Sequence, residues 1–263
     1  MYTILFPGGK RKVVTFSYDD GTVHDRRLVA LFNRYGLKGT FHLNSGRMDI
    51  LEYIDSAEVA VLYSGHEVSC HGVQHRWLNQ ISRAEIVQEL LEDRRGLERL
   101  TDGIVTGLSY AFGAYNDEII GIARTLGIEY ARTVKATEEF FAPEDFMRWH
   151  PTCHHNALLQ DMTLVEKFLH PPAYLKPELF YIWGHSYEFE RDDSWDAMER
   201  LCASLSGHDD IWYATNLEYC RYYHAAQSLA FSADLHRVGN PTGVPIWIER
   251  EGTVITVEPG MTR

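Results

Sequence analysis

The sequence predicts an α/β fold in which parallel strands alternate with helices. Short runs rich in β-branched and aromatic residues recur along residues 12–214, a segment with helical periodicity follows each of them, and several helices carry capping or stop signals. This alternation is typical of parallel strands that right-handed crossovers connect. A closed or nearly closed barrel and an open doubly wound sheet both fit the pattern.

Seven runs of residues that suit a pleated, half-buried surface predict the strands. They cover residues 12–17, 39–43, 67–70, 105–110, 128–134, 179–183 and 211–214. Glycine-rich phosphate loops are missing after the first of these runs, which argues against the dinucleotide-binding form of the open sheet. The segment over residues 135–160 shows neither strand nor helix periodicity, so we expect it to be irregular.

Apolar residues at helical spacing predict seven helices, and sequence signals mark the ends of several. The helices cover residues 22–35, 56–63, 82–100, 116–126, 162–169, 195–205 and 217–228. Gly36, Gly127 and Gly207 each follow a helical stripe and are expected to end it. Ser82 and Glu85 have the spacing of a capping box at the start of the longest helix.

The pattern changes from Phe231 onward. Turn-forming residues over 239–243 precede two apolar runs, 244–248 and 254–257, which Glu251-Gly252 separates. This arrangement predicts a β-hairpin. We therefore expect one catalytic domain over residues 1–263, with a barrel over about 12–229 and a hairpin extension over 230–263.

Composition excludes several classes of protein. The chain has 263 residues, and 25 Lys+Arg against 37 Asp+Glu give a net charge of −12, which argues against a nucleic-acid partner. Its apolar runs fall short of the ~20 residues that a membrane span needs. The apolar start is too short for a signal peptide, so we expect a cytoplasmic protein. The four cysteines form no CxxC pair and are expected to be reduced and buried.

Four clusters of chemically active residues follow predicted strands, at the edge where parallel α/β proteins build their active sites. They lie within residues 15–21, 66–75, 108–115 and 180–187. Each cluster alone also has a structural explanation, such as a helix cap, a solvated loop, aromatic packing or a core histidine. Asp19 and Asp20 are adjacent, whereas His71 and His75 are four residues apart, a spacing that places both imidazoles on one face of a helical turn.

Together these residues suit metal-assisted hydrolysis. One carboxylate and two neutral imidazoles form a three-ligand set, for which zinc is the usual ion and cobalt, nickel or manganese are alternatives. A second carboxylate remains as a base, and the distant His185 remains as an acid.

In this order the clusters resemble the motifs of the polysaccharide deacetylase family, carbohydrate esterase family 4. The family motif T-F-D-D-G is similar to residues 15–21, with Ser17-Tyr18 inserted. The motif H-[ST]-x-x-H is similar to residues 71–75, R-x-P-Y-G falls on residues 109–113, and a strand ending in His falls on residues 182–185. The resemblance covers about residues 12–214 and implies a distorted (β/α)7 barrel.

The resemblance also implies a role for each matching residue. Metal ligands would be Asp20, His71 and His75. Asp19 would be the general base, His185 would protonate the departing amine or alcohol, and the backbone N–H of Phe112 would stabilise the oxyanion.

This chain departs from the family pattern at three places. Gly72 replaces the Ser or Thr between the histidines, and Ser109 stands where the family has an Arg that orients the base. The fourth motif, D-x-x-D-W, is echoed only by residues 145–149. We hypothesise that Arg148 replaces the missing Arg beside Asp19, the alternative being a surface salt bridge.

The expected reaction is removal of an N- or O-acetyl group from a saccharide. An amidase on a non-sugar substrate and an inactive saccharide-binding barrel are the alternatives. Tyr115, Trp149 and Trp77 are candidate substrate contacts, because aromatic faces stack on sugar rings but also fill cores. His154 and His155 are expected in a loop or at the substrate, with a second metal site as a further alternative. The sequence leaves the oligomeric state open.

Overall fold

The computed structural model describes residues 2–173 and 178–262. Its strands are β1 (Tyr2–Leu5), β2 (Lys12–Asp20), β3 (Gly39–Leu43), β4 (Glu67–Cys70), β5 (Gly107–Ser109), β6 (Tyr130–Arg132), β7 (Cys153–His154), β8 (Leu179–His185), β9 (Ile211–Tyr213), β10 (Ala230–Phe231), β11 (Val238–Gly239), β12 (Ile246–Arg250) and β13 (Thr253–Val257). Its α-helices are α1 (Asp25–Tyr35), α2 (Val59–Leu62), α3 (Arg83–Thr101), α4 (Asp117–Thr125), α5 (His155–Gln160), α6 (Thr163–Leu169), α7 (Tyr187–Arg191), α8 (Trp195–Leu205) and α9 (Asn216–Gln227).

Eight of the described strands form one parallel sheet in the order β6-β5-β4-β3-β2-β8-β7. The eighth strand, β9, pairs with residues 12–14 of β2, and β3 pairs with residues 16–20 along the same edge of β2. A bridge between Arg132 and Trp149 connects the β6 edge to the segment that enters β7. The sheet therefore curls into a distorted barrel, which confirms the predicted α/β barrel.

Several elements escaped the sequence analysis because each is too short, or its partner too distant in the chain, to leave a pattern; they are β1, β7, β10, β11, α5 and α7. The segment expected to be irregular contains β7, which has 2 residues, and α5, which has 6. The expected hairpin is present as β12 and β13, and β1 pairs with β12 to complete a three-stranded antiparallel sheet. That pairing joins the two ends of the chain, so no local spacing could reveal it.

Strand β2 continues three residues beyond its predicted end and carries the first motif to the mouth of the barrel. Side chains alternate along a strand, so Ser17 and Asp19 share one face while Tyr18 contacts Phe32 on the other. Because the Ser17-Tyr18 insertion has two residues, it keeps the motif carboxylate Asp19 on the inner face.

The lower part of the barrel is held by a polar network around the half-buried Glu67. The Glu67 carboxylate accepts hydrogen bonds from Thr40 Oγ1 at 2.9 Å, from Tyr130 Oη at 2.7 Å and from the Leu217 backbone N–H at 2.8 Å. Asn216 links this network to β2 through a 2.8 Å bond with Thr15 Oγ1. A buried carboxylate that receives several hydrogen bonds is tolerated, whereas an unpaired one is costly.

The prediction that Trp149 contacts a sugar is wrong. Its side chain is 0% exposed and packs against Tyr181 and Tyr130, with ring centroids 4.6 and 5.5 Å away. The same parallel bridge that closes the sheet places this indole inside the core. The four cysteines are buried free thiols, as expected. Over the described ranges, no helix has the length and apolar character needed to cross a membrane.

Replacing Trp149 with Ala is expected to lower the free energy of unfolding by about 3–5 kcal/mol, because it empties a fully buried indole site. The matched change Trp77→Ala removes an indole that is 43% exposed and should cost about 1 kcal/mol or less. Urea unfolding of both variants measures the difference. Equal losses of stability would contradict the assignment of Trp149 to the core.

Candidate active site

The candidate site lies at the carboxyl ends of the central strands. It gathers Asp19 and Asp20 at the end of β2, His71 after β4, Ser109 at the end of β5, Arg132 at the end of β6 and His185 at the end of β8. Asp19 and His185 are direct neighbours in the register of β2 and β8. The parallel topology therefore brings together side chains that are up to 166 positions apart in the 263-residue sequence, as 185 − 19 gives.

Two adjacent carboxylates reach the site because the backbone turns at the second one. Consecutive side chains of a regular strand point to opposite faces, so Asp19 and Asp20 could not both face inward. Asp20 has φ 79°, in the left-handed region that a non-glycine residue seldom adopts. This turn brings its carboxylate to the two imidazoles of the second motif.

The second motif forms a loop, not the helical turn on which the spacing argument relied. Gly72 has φ 87° and His75 has φ 55°, and these turns converge the two rings to a centroid distance of 4.6 Å. A Cβ on Gly72 would lie 2.9 Å from Glu89 Oε1. Both the backbone conformation and the space explain why Gly stands where the family has Ser or Thr.

Asp20, His71 and His75 form a compact donor set. Asp20 Oδ1 lies 3.6 Å from His71 Nε2 and 3.5 Å from His75 Nε2. Among the described residues, this buried oxygen has no hydrogen-bond partner. Two nitrogens and an oxygen at such separations match the ligands of a divalent ion such as zinc.

The hydrogen bonding of the two imidazoles is also compatible with binding of a metal ion. His71 Nδ1 lies 2.9 Å from the backbone carbonyl of Ser109, to which it can donate only as N–H. Its Nε2 then keeps a free lone pair toward Asp20, the arrangement usual for a metal-ligating histidine. Burial and the neighbouring His71 lower the pKa of His75 to about 4, so this ring is neutral at neutral pH.

Two carboxylates of α3 hold the loop that carries the histidines. Asp93 Oδ2 accepts the backbone N–H groups of His71 at 2.9 Å and Gly72 at 2.8 Å. Glu89 Oε1 accepts the backbone N–H of Gln74 at 2.7 Å. The sequence analysis did not single out these residues, although two acids four apart on the apolar face of an amphipathic helix were a usable signal.

Asp19 is buried between a guanidinium and a hydroxyl. Arg132, which is 0% exposed, donates from Nη2 to Asp19 Oδ2, and Ser109 Oγ donates to Asp19 Oδ1 at 3.1 Å. Burial alone would raise the pKa of Asp19, but the charge of Arg132 holds it well below its ordinary value. The carboxylate is thus ionised and fixed in direction.

The hypothesis that Arg148 pairs with Asp19 is wrong. Arg148 is half-buried at the surface and bonds to Asp145 and Asp117. Arg148 is the last residue of a short 3₁₀ turn, whereas Arg132 ends strand β6 and points into the barrel. An Arg inside the predicted strand 128–134 was the signal that could have identified Arg132.

His185 ends β8 beside a buried acid. Its Nδ1 lies 3.5 Å from Glu188 Oε2, and its side chain is 21% exposed. Burial lowers the pKa of His185, but Glu188, Asp19 and Asp20 together raise it above its ordinary value. His154 and His155 also lie at this acid, with Nε2 atoms 3.1 and 3.3 Å from Glu188 Oε2.

Exposed aromatic rings form one wall of the site. The Phe112 backbone has φ 57°, and its ring stacks on Trp77 with 4.1 Å between centroids and 3° between planes. Phe112 also contacts His75 at 4.3 Å. Tyr115 instead stacks on the buried Tyr110 at 5.2 Å and packs against the core. The structure thus brings Trp77 and Phe112 to the site.

Comparison with known proteins supports the resemblance. Residues 7–131, just under half of the chain, match the polysaccharide deacetylase family model, the family that the motifs resemble. No curated protein sequence matches this chain.

Several solved structures share the fold at low sequence identity. PuuE allantoinase is 13% identical, with a TM-score of 0.66 and coverage of 84% of this chain and 92% of that one. The Xyl-CE4 domain of a multidomain xylanase from the hindgut metagenome of Trinervitermes trinervoides is 16% identical, with a TM-score of 0.58 and coverage of 82% and 92%. A family 4 carbohydrate esterase from Streptomyces lividans in complex with acetate is 14% identical, with a TM-score of 0.52 and coverage of 74% and 88%. This chain spans only 55%, 44% and 44% of the length of three other matched structures.

Replacing Gly72 with Ala is expected to destabilise the protein by about 1–2 kcal/mol, because the new Cβ meets Glu89 and the residue must keep a left-handed backbone. The control is Gly121→Ala on α4, where no atom lies within 4 Å. There the same change should stabilise the protein by about 0.5–1 kcal/mol. Thermal unfolding measures both, and a neutral Gly72→Ala variant would contradict the constraint.

Proposed function

We propose that this relative of the polysaccharide deacetylases removes an N- or O-acetyl group from a saccharide in a metal-dependent hydrolysis. The family match supports a hydrolytic deacetylase. The observation that carries the finer proposal is the donor set of Asp20, His71 and His75 beside a second, ionised carboxylate and a histidine. Asp20, His71 and His75 would hold a divalent ion, most simply zinc.

When bound, the ion supplies Lewis-acid activation of water and of the acyl carbonyl. Asp19 accepts a proton from the attacking water, which requires an ionised carboxylate aimed at the site. Arg132 meets both needs, because it favours the charged form and fixes the direction of the carboxylate. Ser109 supports both Asp19 and His71 through the hydroxyl that replaces the family's Arg side chain.

His185 donates a proton to the departing amine or alcohol. It must be protonated to do so, and the surrounding carboxylates raise its pKa above the ordinary value for histidine. Since the folded pKa is raised, the imidazolium persists to higher pH, and activity falls only as pH rises through that pKa. The backbone N–H of Phe112, in the left-handed turn after β5, would stabilise the developing oxyanion.

The aromatic wall favours a saccharide as the substrate. Trp77 is 43% exposed and Phe112 is 47% exposed, and their parallel rings lie directly beside His75. A flat exposed aromatic face suits the C–H face of a pyranose ring. An amidase on a non-sugar substrate and an inactive saccharide binder remain the outcomes against which this proposal is tested.

The direct test is acetate release from an N-acetylated chito-oligosaccharide and from an acetylated xylo-oligosaccharide. We expect the purified protein to release acetate from one of them, to lose that activity after dialysis against a chelator and to regain it with zinc. Asp20→Asn should abolish the rescue, because it removes the charged ligand. Activity that survives a chelator, or its absence on every acetylated probe in the metal-loaded protein, would contradict the proposal.

Trp77→Ala separates a saccharide from a small amide as the substrate. If a pyranose stacks on this indole, the KM for the oligosaccharide should rise about fivefold or more, because an aromatic contact contributes about 1 kcal/mol. Hydrolysis of 4-nitrophenyl acetate, which has no sugar ring, serves as the matched control and should change little. Equal changes on both substrates would argue against sugar stacking.

Arg132→Lys is expected to lower kcat by about tenfold or more, because lysine keeps the charge but loses the planar guanidinium that also bonds Thr133 O and stacks on Trp183. Arg148→Lys is the matched control at the surface, and its kcat should stay within about twofold of wild type. Steady-state kinetics on the same acetylated probe measure both. A larger loss for Arg148→Lys would restore the original hypothesis and remove this one.

A further inference from the structure

We propose that Glu188 is a positioning residue for His185, and that it acts by gathering three imidazoles around one buried carboxylate oxygen. This inference rests on the proposed function, in which His185 is the acid. Neither the motifs nor the family resemblance pointed to Glu188, which follows His185 by three residues at the start of α7.

A single oxygen of Glu188 is the centre of the cluster. Oε2 lies 3.1 Å from His154 Nε2, 3.3 Å from His155 Nε2 and 3.5 Å from His185 Nδ1. The backbone N–H of His185 also donates to this oxygen at 3.3 Å. Glu188 is only 8% exposed, so imidazoles replace most of the water that would otherwise solvate this carboxylate.

The turn that carries His185 is held from its other side as well. Ser186 Oγ donates to the buried Asp25 carboxylate and lies 3.0 Å from Thr22 Oγ1. Gly184 precedes His185, and a Cβ there would overlap the His155 ring, so the absence of a side chain makes room for that imidazole. The segment from Gly184 to Glu188 is therefore fixed by contacts on both faces.

The hydrogen bonding of His154 distinguishes this cluster from a second metal site. The backbone N–H of Asn156 donates to His154 Nδ1 at 3.2 Å, so that nitrogen carries the lone pair. The proton of the neutral ring is then on Nε2, which donates to Glu188. A metal ligand would need its lone pair on Nε2, as His71 has, so His154 acts in this cluster as a hydrogen-bond donor.

This arrangement leaves His185 Nε2 as the nitrogen available to a substrate. Asp19 and Asp20 on β2, Glu188 on α7, His154 on β7 and His155 on α5 are the charged or titratable groups around it, with the Tyr187 ring 5.2 Å away. Of these, Glu188 makes the closest approach to Nδ1. Although burial alone would raise the pKa of Glu188, hydrogen bonds from His154 and His185 hold it well below its ordinary value.

The test is Glu188→Gln, which keeps the size of the side chain and removes its charge. We expect the alkaline limb of kcat/KM to move to lower pH by about one unit or more, because an opposite charge at this distance shifts a pKa by that amount. KM should change little, since Glu188 does not face the aromatic wall. The control is Glu190→Gln on the same helix. Its carboxylate accepts a hydrogen bond from Trp195 Nε1 at 2.9 Å, and this change should leave the limb in place.

A second readout does not depend on turnover. An ¹⁵N-histidine titration of the zinc-loaded protein, with the His185 signal identified from a His185→Gln variant, gives the pKa of His185 directly. It should fall in Glu188→Gln and stay unchanged in Glu190→Gln. If Glu188→Gln does not fold, Glu188→Asp withdraws the carboxylate by one methylene and should lower the same pKa by a smaller amount.

An unchanged His185 pKa in these variants would overturn the proposal. So would two zinc ions per chain in wild type with one lost in His154→Ala, because that result would make the cluster a metal site. Failure of the proposed function is distinguishable: the zinc-loaded wild type would release no acetate, while the histidine titration would still report whether Glu188 controls His185.

Discussion

The buried ion pair between Arg132 and Asp19 is the interaction on which the site depends. It joins β6 to β2, four places apart in the order of the curled sheet, and so connects opposite sides of the barrel mouth. Desolvating two charges is costly, and only good geometry with further hydrogen bonds offsets that cost. Ser109 on the carboxylate and Trp183 beneath the guanidinium supply those contacts. Removing either charge would leave the other buried and unpaired.

The loop of residues 71–75 is also held by buried carboxylates, but the donors that they accept from are neutral backbone N–H groups. Glu89 and Asp93 place carboxylates beneath the backbone of the loop, and the N–H groups around Gly72 converge on them. Left-handed conformations at Asp20, Gly72 and His75 are each unfavourable in isolation, and they persist because these contacts define the backbone. Rigid support of this kind is what a preformed metal site requires.

The interior of the barrel holds acidic groups from its floor to its mouth. Glu67 at the floor is half-buried, whereas Asp19 at the mouth and Glu188 beside it are buried, and each of these acids lies beside donors from other elements. Such acids are compatible with folding because apolar packing lies mainly outside the sheet, where rings such as Phe32 meet Tyr18. Chemistry and stability are thereby assigned to opposite faces of the same strands.

The sequence by itself determined the alternation of strands and helices and pointed to the residues of the candidate donor set, Asp20, His71 and His75. Both features depend on residues that are close in sequence. Periodicity is a property of consecutive residues, and Asp20 belongs to a contiguous motif at the end of a strand. Only the tertiary structure decided which groups surround them. By position in the sequence, Arg148 looked suitable as the partner of Asp19 and Trp149 as a sugar contact. In the structure Arg132 lies beside Asp19, and its bridge to Trp149 buries the indole. The surroundings of Glu188 likewise could not be predicted, because two of the imidazoles near it come from residues 154 and 155. Contacts between residues far apart in the chain produce no regular spacing in a single sequence.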